Sequence, residues 1–436
     1  MLQNIKIHLE QNFANLKNKK LLVATSGGMD SMVMLHLLQE LNYTIAIAHC
    51  NFKLRGEESD GDLDFVENYA NTNGIPIFTT IFNTKQFAED YKLSIQVAAR
   101  NLRYNWFYEL LETENYDYIV TAHHADDNLE TFLINLIRGT GLSGLVGIPE
   151  QNNQVIRPLL PFSRLQIESY LQQKKLQWRE DSSNQTTKYV RNRIRKDLIP
   201  ILKEINPSII ETFNKSQNYL QQTLNLATDA TILVYQQVVK QENTSLLFDL
   251  KKLLKLPNFK TYLYEWLKEY QFQDWESVYN LVNAQSGKQV LSTEYRLIKN
   301  RDFLVLEKNK QSNLNVILVD KNQKEVKFDL NIAFTVVKDC TAETKSSIFV
   351  DEDKLKFPLL IRKWEQGDYF FPSGMNGKKK LSKYFKDEKM SLIEKENTWL
   401  LCSDNSIVWV INKRADKRFE AKNTTSNILK ISLFSE

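Results

Sequence analysis

Between Leu21 and Ser31 the chain reads Leu-Leu-Val-Ala-Thr-Ser-Gly-Gly-Met-Asp-Ser. An apolar run ends in Ser26-Gly27-Gly28, and after Met29 the pair Asp30-Ser31 opens a helical pattern carried by Met32, Leu35, Leu38 and Leu41. A strand, a glycine turn and a helix start in that order make an anion site. Bare backbone N–H groups and the positive helix end meet at one spot. Gly27 and Gly28 let the main chain come close to a phosphate, while Ser26 and Ser31 add hydroxyl donors. This is no Walker A loop, because the lysine is missing and the loop is shorter. A chance glycine turn before a helix is the plainer reading, and it leaves the rest of the hexapeptide unexplained.

A second group runs from Thr121 through His123, His124, Asp126, Asp127 and Glu130 to Thr131, followed by Arg138-Gly-Thr-Gly. Acids three and four residues apart converge on adjacent faces of one helix. Carboxylates at a helix start also serve as plain caps, which suits Asp126. Beside a bound nucleotide triphosphate, such acids can hold Mg²⁺ or an ammonium group. A zinc site built on the two histidines is disfavoured, since adjacent side chains point apart.

Cationic groups complete the inventory. Arg100 and Arg103 share a helix face and suit a phosphate, though a solvated pair is the ordinary reading. His49, Asn51 and Arg55 follow a strand and could line the same cleft, with Asn51 equally suited to a turn. Arg191, Arg193, Arg195 and Lys196 face only Asp197, so some of them must meet a polyanion or solvent. Lys378, Lys379, Lys380, Lys383 and Lys386 accompany Tyr384 and Phe385, a mixture suited to phosphate contact and base stacking, or else a solvated helix face.

The elements that must position these groups alternate. Strands are expected at 21–25, 43–49, 76–82 and 117–122, and helices at 30–41, 59–73, 94–112 and 126–138, with further helices at 164–175 and 190–204. That order implies an α/β domain with a doubly wound parallel sheet and a ligand at the carboxyl ends of its strands. Nine of the 13 glycines fall by Gly147 and none lies between 148 and 286, so a helical middle is expected over 207–285. A hairpin around Lys299-Asn300-Arg301-Asp302 over 289–308 and a β-rich stretch at 310–360 follow. A small α+β module with strands at 398–402 and 407–411 ends the chain. The domains implied are 1–210, 211–358 and 359–436.

At 436 residues, 42% hydrophobic and 25% charged, the chain has the composition of a soluble multidomain protein. No apolar run reaches the ~20 residues of a membrane helix, and no signal-peptide core opens it. Three scattered cysteines argue against a disulfide framework or a Cys-based metal site, and so for the cytoplasm. A net charge of +4 permits a polyanionic partner without demanding one.

The Ser-Gly-Gly-x-Asp-Ser spelling resembles the PP-loop of ATP pyrophosphatases, which cleave ATP between the α and β phosphates and adenylate a substrate. Later blocks narrow the resemblance to the tRNA(Ile)-lysidine synthase family. These are His-Cys-Asn-Phe-x-Leu-Arg at 49–55, Ala-Arg-x-x-Arg-Tyr at 99–104 and His-His-Ala-Asp-Asp-Asn-x-Glu-Thr at 123–131. Arg-Gly-Thr-Gly-Leu-Ser-Gly-Leu at 138–145, Arg157-Pro-Leu-Leu, Asp181-x-Ser-Asn, Tyr189-x-Arg-Asn-Arg-Ile-Arg and the Gly-x-Lys-Lys-Leu-Ser-Lys block continue it. One departure is Phe52, where the pattern has histidine, which weakens any role for that side chain. The resemblance implies that ATP activates the wobble cytidine of an isoleucine tRNA with anticodon CAU, and that free lysine then displaces AMP.

On this resemblance Ser26, Gly27, Gly28, Met29, Asp30, Ser31 and His49 would bind the nucleotide, with Asp30 also toward Mg²⁺. Asp127 and Glu130 would take the lysine amine. Arg100, Arg103 and Arg138 would meet phosphate or tRNA, and Arg191, Arg193, Arg195, Lys378, Lys379 and Lys380 the tRNA. A homodimer is compatible with the chain and not required by it. The rival enzyme is a PP-loop tRNA sulfur transferase, which needs cysteine chemistry that Cys50 alone does not supply. A PP-loop amidotransferase would need a glutaminase module that is not evident. From another class, a catalytically silent tRNA-binding protein would not need the intact loop and acid motifs.

Overall fold

The strand that feeds the glycine turn, β1 (Lys20–Ala24), lies inside a six-stranded sheet with β2 (Thr44–Asn51), β3 (Ile77–Ile81), β4 (Tyr118–Val120), β5 (Gln151–Asn152) and β6 (Val155–Ile156). The spatial order is β3-β2-β1-β4-β6-β5, and every pairing is parallel except β5 with β6. Residues 45–49 of β2 are all buried, as a strand covered on both faces requires. The chain moves outward from β1 to β3 and then returns to the other side of β1 as β4. This reversal leaves a crevice at the carboxyl ends of β1 and β4.

The structure, a computed structural model, describes residues 1–180, 190–309, 316–340, 344–422 and 424–434. It forms two compact units, Met1–Thr228 and Asp229–Glu436. In the first, the helices are α1 (Leu2–Asn12), α2 (Met29–Glu40), α3 (Glu57–Asn73), α4 (Thr84–Asp90), α5 (Ile95–Thr113), α6 (Ala125–Arg138), α7 (Leu142–Leu145), α8 (Arg164–Lys174) and α9 (Val190–Arg193). Met32 and Leu35 of α2 pack with Ile167 and Tyr170 of α8 in one core that includes Leu21 and Val23 of β1. Phe107, Leu110 and Leu111 of α5 pack with Leu22, Ala46 and Ala48 in a second core. Alternate side chains of β1 therefore serve the two faces, as strand geometry dictates.

The helix expected at 190–204 is present as a continuous helical stretch over 190–205 that contains a π-type turn. After α9 a single π-type turn, Ile194–Leu198, precedes α10 (Ile199–Ile205), where Pro200 sits in the first turn. Proline has no N–H to donate, so it tolerates a helix start but not a helix interior. The Ile199 N–H reaches back five residues to the Ile194 carbonyl.

The middle region departs from expectation more clearly. Helix α11 (Ile209–Val238) ends in a hairpin, β7 (Val239–Glu242) and β8 (Ser245–Asp249). These join β9 (Gln289–Leu291), β10 (Tyr295–Asn300) and β11 (Phe303–Lys308) in an antiparallel sheet ordered β7-β8-β11-β10-β9. The lack of glycine suggested continuous helix over 207–285. Asn243 supplies the left-handed turn residue instead, with φ of 50°, as asparagine can at low cost. The hairpin expected at 289–308 is present as β10 and β11, with β9 alongside. Further on, two antiparallel sheets share a core containing Trp399, Leu401, Val408, Trp409 and Ile431. The last pair of strands expected from sequence lies at Trp399–Ser403 and Ser406–Val410.

Candidate active site

Between β1 and α2 the turn is tied by its two serines. Ser31 Oγ donates to the Gly28 carbonyl at 2.8 Å, and the Ser26 N–H donates to Ser31 Oγ at 3.2 Å. The Gly28 N–H meets Ser26 Oγ at 3.3 Å, a long bond that an anion could replace. Gly27 has φ of 85°, a conformation only glycine adopts freely. No side chain caps α2, so its first N–H groups lack a side-chain partner at this end. A cleft of about 290 Å³ opens here, lined by Ser26, Gly28, Asp30 and Ser31 on one side and Thr121, His123, Asp127 and Arg191 on the other.

The acidic half stands on the start of α6. His124 is the N-cap: its Nδ1 accepts from the Asp127 N–H at 3.4 Å, and Asp127 Oδ2 accepts from the His124 N–H at 3.2 Å. Its other ring nitrogen lies 3.4 Å from Asp127 Oδ2 and 3.7 Å from Asp30 Oδ2, so one buried imidazole links the two halves of the cleft. Burial raises the Asp30 carboxyl above its ordinary value, and Asp30 Oδ1 is buried with no hydrogen-bond partner. At Asp127 burial also pushes upward, but His124, His123, Arg195 and the His124 N–H outweigh it and the net shift is downward. Glu130 is raised by burial, the pull of Arg195 notwithstanding. Burial takes His123 down to about 4, so its ring is neutral at pH 7.

Glu130 is 1% exposed, and both its oxygens are engaged by Arg195, from Nε at 2.5 Å and from a terminal nitrogen at 2.9 Å. The same terminal nitrogen of Arg195 donates to Asp127 Oδ1 at 3.1 Å. Arg191 donates to Thr131 Oγ1 at 2.8 Å and approaches Glu130 at 3.5 Å. Asp126, expected as a cap of its own helix, instead accepts from the first N–H of α8, at Arg164, at 2.8 Å and from Lys203 at 2.9 Å. Of the basic stretch, Arg191, Arg193 and Lys196 are exposed and Arg195 is half-buried. Arg195, expected among the residues that meet the tRNA, is instead committed to the buried carboxylate of Glu130 and to Asp127. Asp181, Ser183, Asn184 and Tyr189 of the expected motifs lie outside the described residues.

The remaining residues separate. Arg103 lines the cleft, 5.1 Å over the Phe52 ring, while Arg100 is exposed over Tyr104 and does not line it. Arg138 is exposed at the far end of α6, about 16 Å along the helix from Asp127. His49 stands behind the loop, its Nδ1 2.9 Å from the Thr25 carbonyl, and does not line the cleft. Asn51 is the buried last residue of β2, its Oδ1 accepting from the Lys53 N–H at 2.9 Å and its Nδ2 donating to Asp60 at 2.7 Å. Arg55 pairs with Asp62 at 2.7 Å. Phe52 does contribute to the site: it forms a wall of the cleft, stacked on Phe82. Cys50 lines the cleft too, but burial pushes its thiol up to about 12, which disfavours the thiolate. Cys50 is placed near the cleft by the sequence, whereas for Phe52 the sequence shows only a departure from the family pattern that weakens a role for its side chain. Among the described residues no group of three or more His, Cys, Asp or Glu is arranged to hold a metal on its own.

In the second unit, Lys379–Lys380 pairs with Tyr369–Phe370 as a short ribbon. Lys378 stands 3.4 Å from the centre of the half-exposed Tyr369 ring, and Lys379 pairs with Asp387 at 2.8 Å. Tyr384 and Phe385, read as stacking surfaces, are core residues at 2% and 0% exposure. They fall on the inner face of a seven-residue helix, Leu381–Asp387, whose lysines take the outer one. Tyr369 is the aromatic that stays accessible beside the cations.

Three family models match the chain: a PP-loop domain over residues 1–202, a TilS substrate binding domain over 241–309 and a TilS substrate C-terminal domain over 359–432. A tRNA(Ile)-lysidine synthase of Parabacteroides distasonis is 37% identical over 98% of this chain and 99% of its own length. The chain belongs to the tRNA(Ile)-lysidine synthase family. A second member, from Bacteroides thetaiotaomicron, is 38% identical with 98% of both chains covered. Among solved structures, a U34-tRNA thiolase from Methanococcus maripaludis covers 51% of this chain and 78% of its own. It has 19% identity and a TM-score of 0.43, too distant to bear on this chain's chemistry. In family terms the cleft belongs to the ATP-binding PP-loop domain, and the Tyr369–Lys378 surface falls in the C-terminal domain. Among the described residues no helix is long and apolar enough to cross a membrane.

Proposed function

We propose that this chain is a carbon–nitrogen ligase of the cytoplasm that converts the wobble cytidine of isoleucine tRNA with anticodon CAU into lysidine. In the first step the cytosine ring oxygen attacks the α-phosphorus of ATP, and pyrophosphate leaves. In the second the neutral ε-amine of free lysine attacks C2, the C–O bond to AMP breaks, and the amine gives up its proton. Lysidine pairs with A rather than G, which turns an AUG reader into an AUA reader.

What supports this reading is full-length family membership together with one cleft that joins a phosphate-type loop to a buried acid. Ser26, Gly27, Gly28, Met29 and Ser31 would hold the β and γ phosphates through backbone N–H groups and hydroxyls. The unpartnered Asp30 oxygen fits a cation ligand, and Mg²⁺ there would offset phosphate charge as pyrophosphate departs. Of the two acids only Asp127 lines the cleft, so it receives the lysine amine, while Glu130 holds Arg195. Arg103 and Arg191, both lining the cleft, stabilise negative charge near the departing phosphates. Positioning and fixed charge supply most of the rate. Residues 211–358 and 359–436 would grip the tRNA, whose anticodon loop can splay a base into a cleft that duplex RNA could not enter.

The test is direct. The purified protein, given ATP, Mg²⁺, radiolabelled lysine and the CAU tRNA, is expected to transfer label to RNA with one pyrophosphate and one AMP released per lysine. Sound ATP and tRNA binding without label transfer would overturn the proposal.

A further inference from the structure

Helix α3 carries a glycine in its second turn, where glycine weakens a helix relative to alanine. At Gly61 an added Cβ would stand 3.0 Å from a terminal guanidinium nitrogen of Arg179 and 3.3 Å from its Cζ, so the guanidinium rests on bare helix backbone. The next residue, Asp62, is buried and engaged at both oxygens, by Arg179 Nε at 2.6 Å and by Arg55 at 2.7 Å. One turn further on, Phe65 and Val66 meet the phosphate loop: a Cβ at Gly27 would lie 3.5 and 3.4 Å from them. The same Arg179 donates its main-chain N–H to the Gly27 carbonyl at 3.0 Å.

That bond has a stereochemical consequence. A trans peptide points its C=O and N–H in opposite directions. With the Gly27 carbonyl directed at Arg179, the Gly28 N–H must face the other way, where it meets Ser26 Oγ at the rim of the cleft. A peptide between two glycines is among the easiest to rotate, so this orientation needs an external hold.

We propose that Arg179, seated on Gly61 and anchored by Asp62, is a positioning residue for ATP. Its main-chain N–H holds the Gly27 carbonyl outward and keeps the Gly28 N–H presented to the pyrophosphate moiety. The inference rests on reading Ser26–Ser31 as the seat of that moiety.

Two variants test it, Gly61→Ala and Arg179→Ala, measured by ATP titration, by KM for ATP and for lysine, and by thermal melting. Gly61→Ala crowds the guanidinium while improving the helix, so its melting temperature should hold or rise as its ATP KM climbs five- to tenfold. Arg179→Ala should raise the ATP KM at least as much, and Arg179→Lys, which keeps a cation for Asp62, should recover part of the loss. Lysine KM should stay within twofold throughout. ATP affinity within twofold of wild type in both alanine variants overturns the inference, as does an equal rise in the lysine KM. Wild type that binds ATP but transfers no lysine defeats the functional proposal instead, while the titrations still decide the role of Arg179.

Discussion

Asp30 and His123 show how burial at a single residue translates into measurable behaviour. Asp30 has its carboxyl raised by burial, so above the ordinary value of 3.8 its charge is a cost to the folded state. Asp30→Asn should therefore melt no lower than wild type, yet release pyrophosphate at least about 100-fold more slowly, as loss of a charge in a preorganised site does. Normal pyrophosphate release by that variant would remove Asp30 from the mechanism. His123 is shifted the other way, to about 4 from 6.5. Between those values the unfolded chain binds the proton and the folded one does not, so stability falls as pH is lowered through that window. Denaturant melts between pH 7 and pH 4 should show this slope in the wild type and a shallower one in His123→Gln. The residues themselves were legible in the sequence, because loop, histidine pair and acids stand in short local patterns. Their protonation was not, since desolvation depends on what packs around them.

At the scale of elements, the decisive contact is the Arg195 side chain from the π-type turn onto Glu130 of α6. Removing one partner of a buried pair leaves the other charged and unsatisfied, at a cost of about 3–5 kcal/mol. Arg195→Ala should destabilise the first unit by about that much, and Glu130→Gln in the same chain should recover part of it. A double-mutant cycle in urea measures the coupling, and additivity would mean that the pair is not energetically real. The sequence shows Arg195 in a basic stretch whose members cannot all pair internally, but not which of them pairs inward. Arg195 lies in the π-type turn Ile194–Leu198, and no local pattern announces its partner 65 residues away. The β7–β8 hairpin was hidden for a related reason: asparagine did the work for which glycine is the usual marker.

For the whole molecule, the two units carry different surfaces. The first holds the cleft, and the second presents the basic ribbon with Tyr369. Changing Lys378, Lys379 and Lys380 together to Ala should weaken tRNA binding severalfold and lower the salt slope of log K by about 1–2, since Lys379 already pairs with Asp387. ATP affinity measured on the same preparation should not change. Equal losses for both ligands would show that the ribbon supports the fold and does not contact RNA. Tyr384 and Phe385 are buried, whereas Tyr369 stays half-exposed beside Lys378.

The chain alone determined the strand–turn–helix that makes a phosphate seat, the alternation that yields a parallel sheet, and the ordered motifs that carry the family resemblance. Each is written in residues that are near neighbours, where backbone geometry and side-chain period act directly. Only the tertiary structure decided which acid opens to the cleft, which arginine turns inward, and which aromatics stay at the surface. Those outcomes depend on the solvation of each group and on partners tens of residues distant. Desolvation and charge pairing act through space, and no spacing along the chain encodes them.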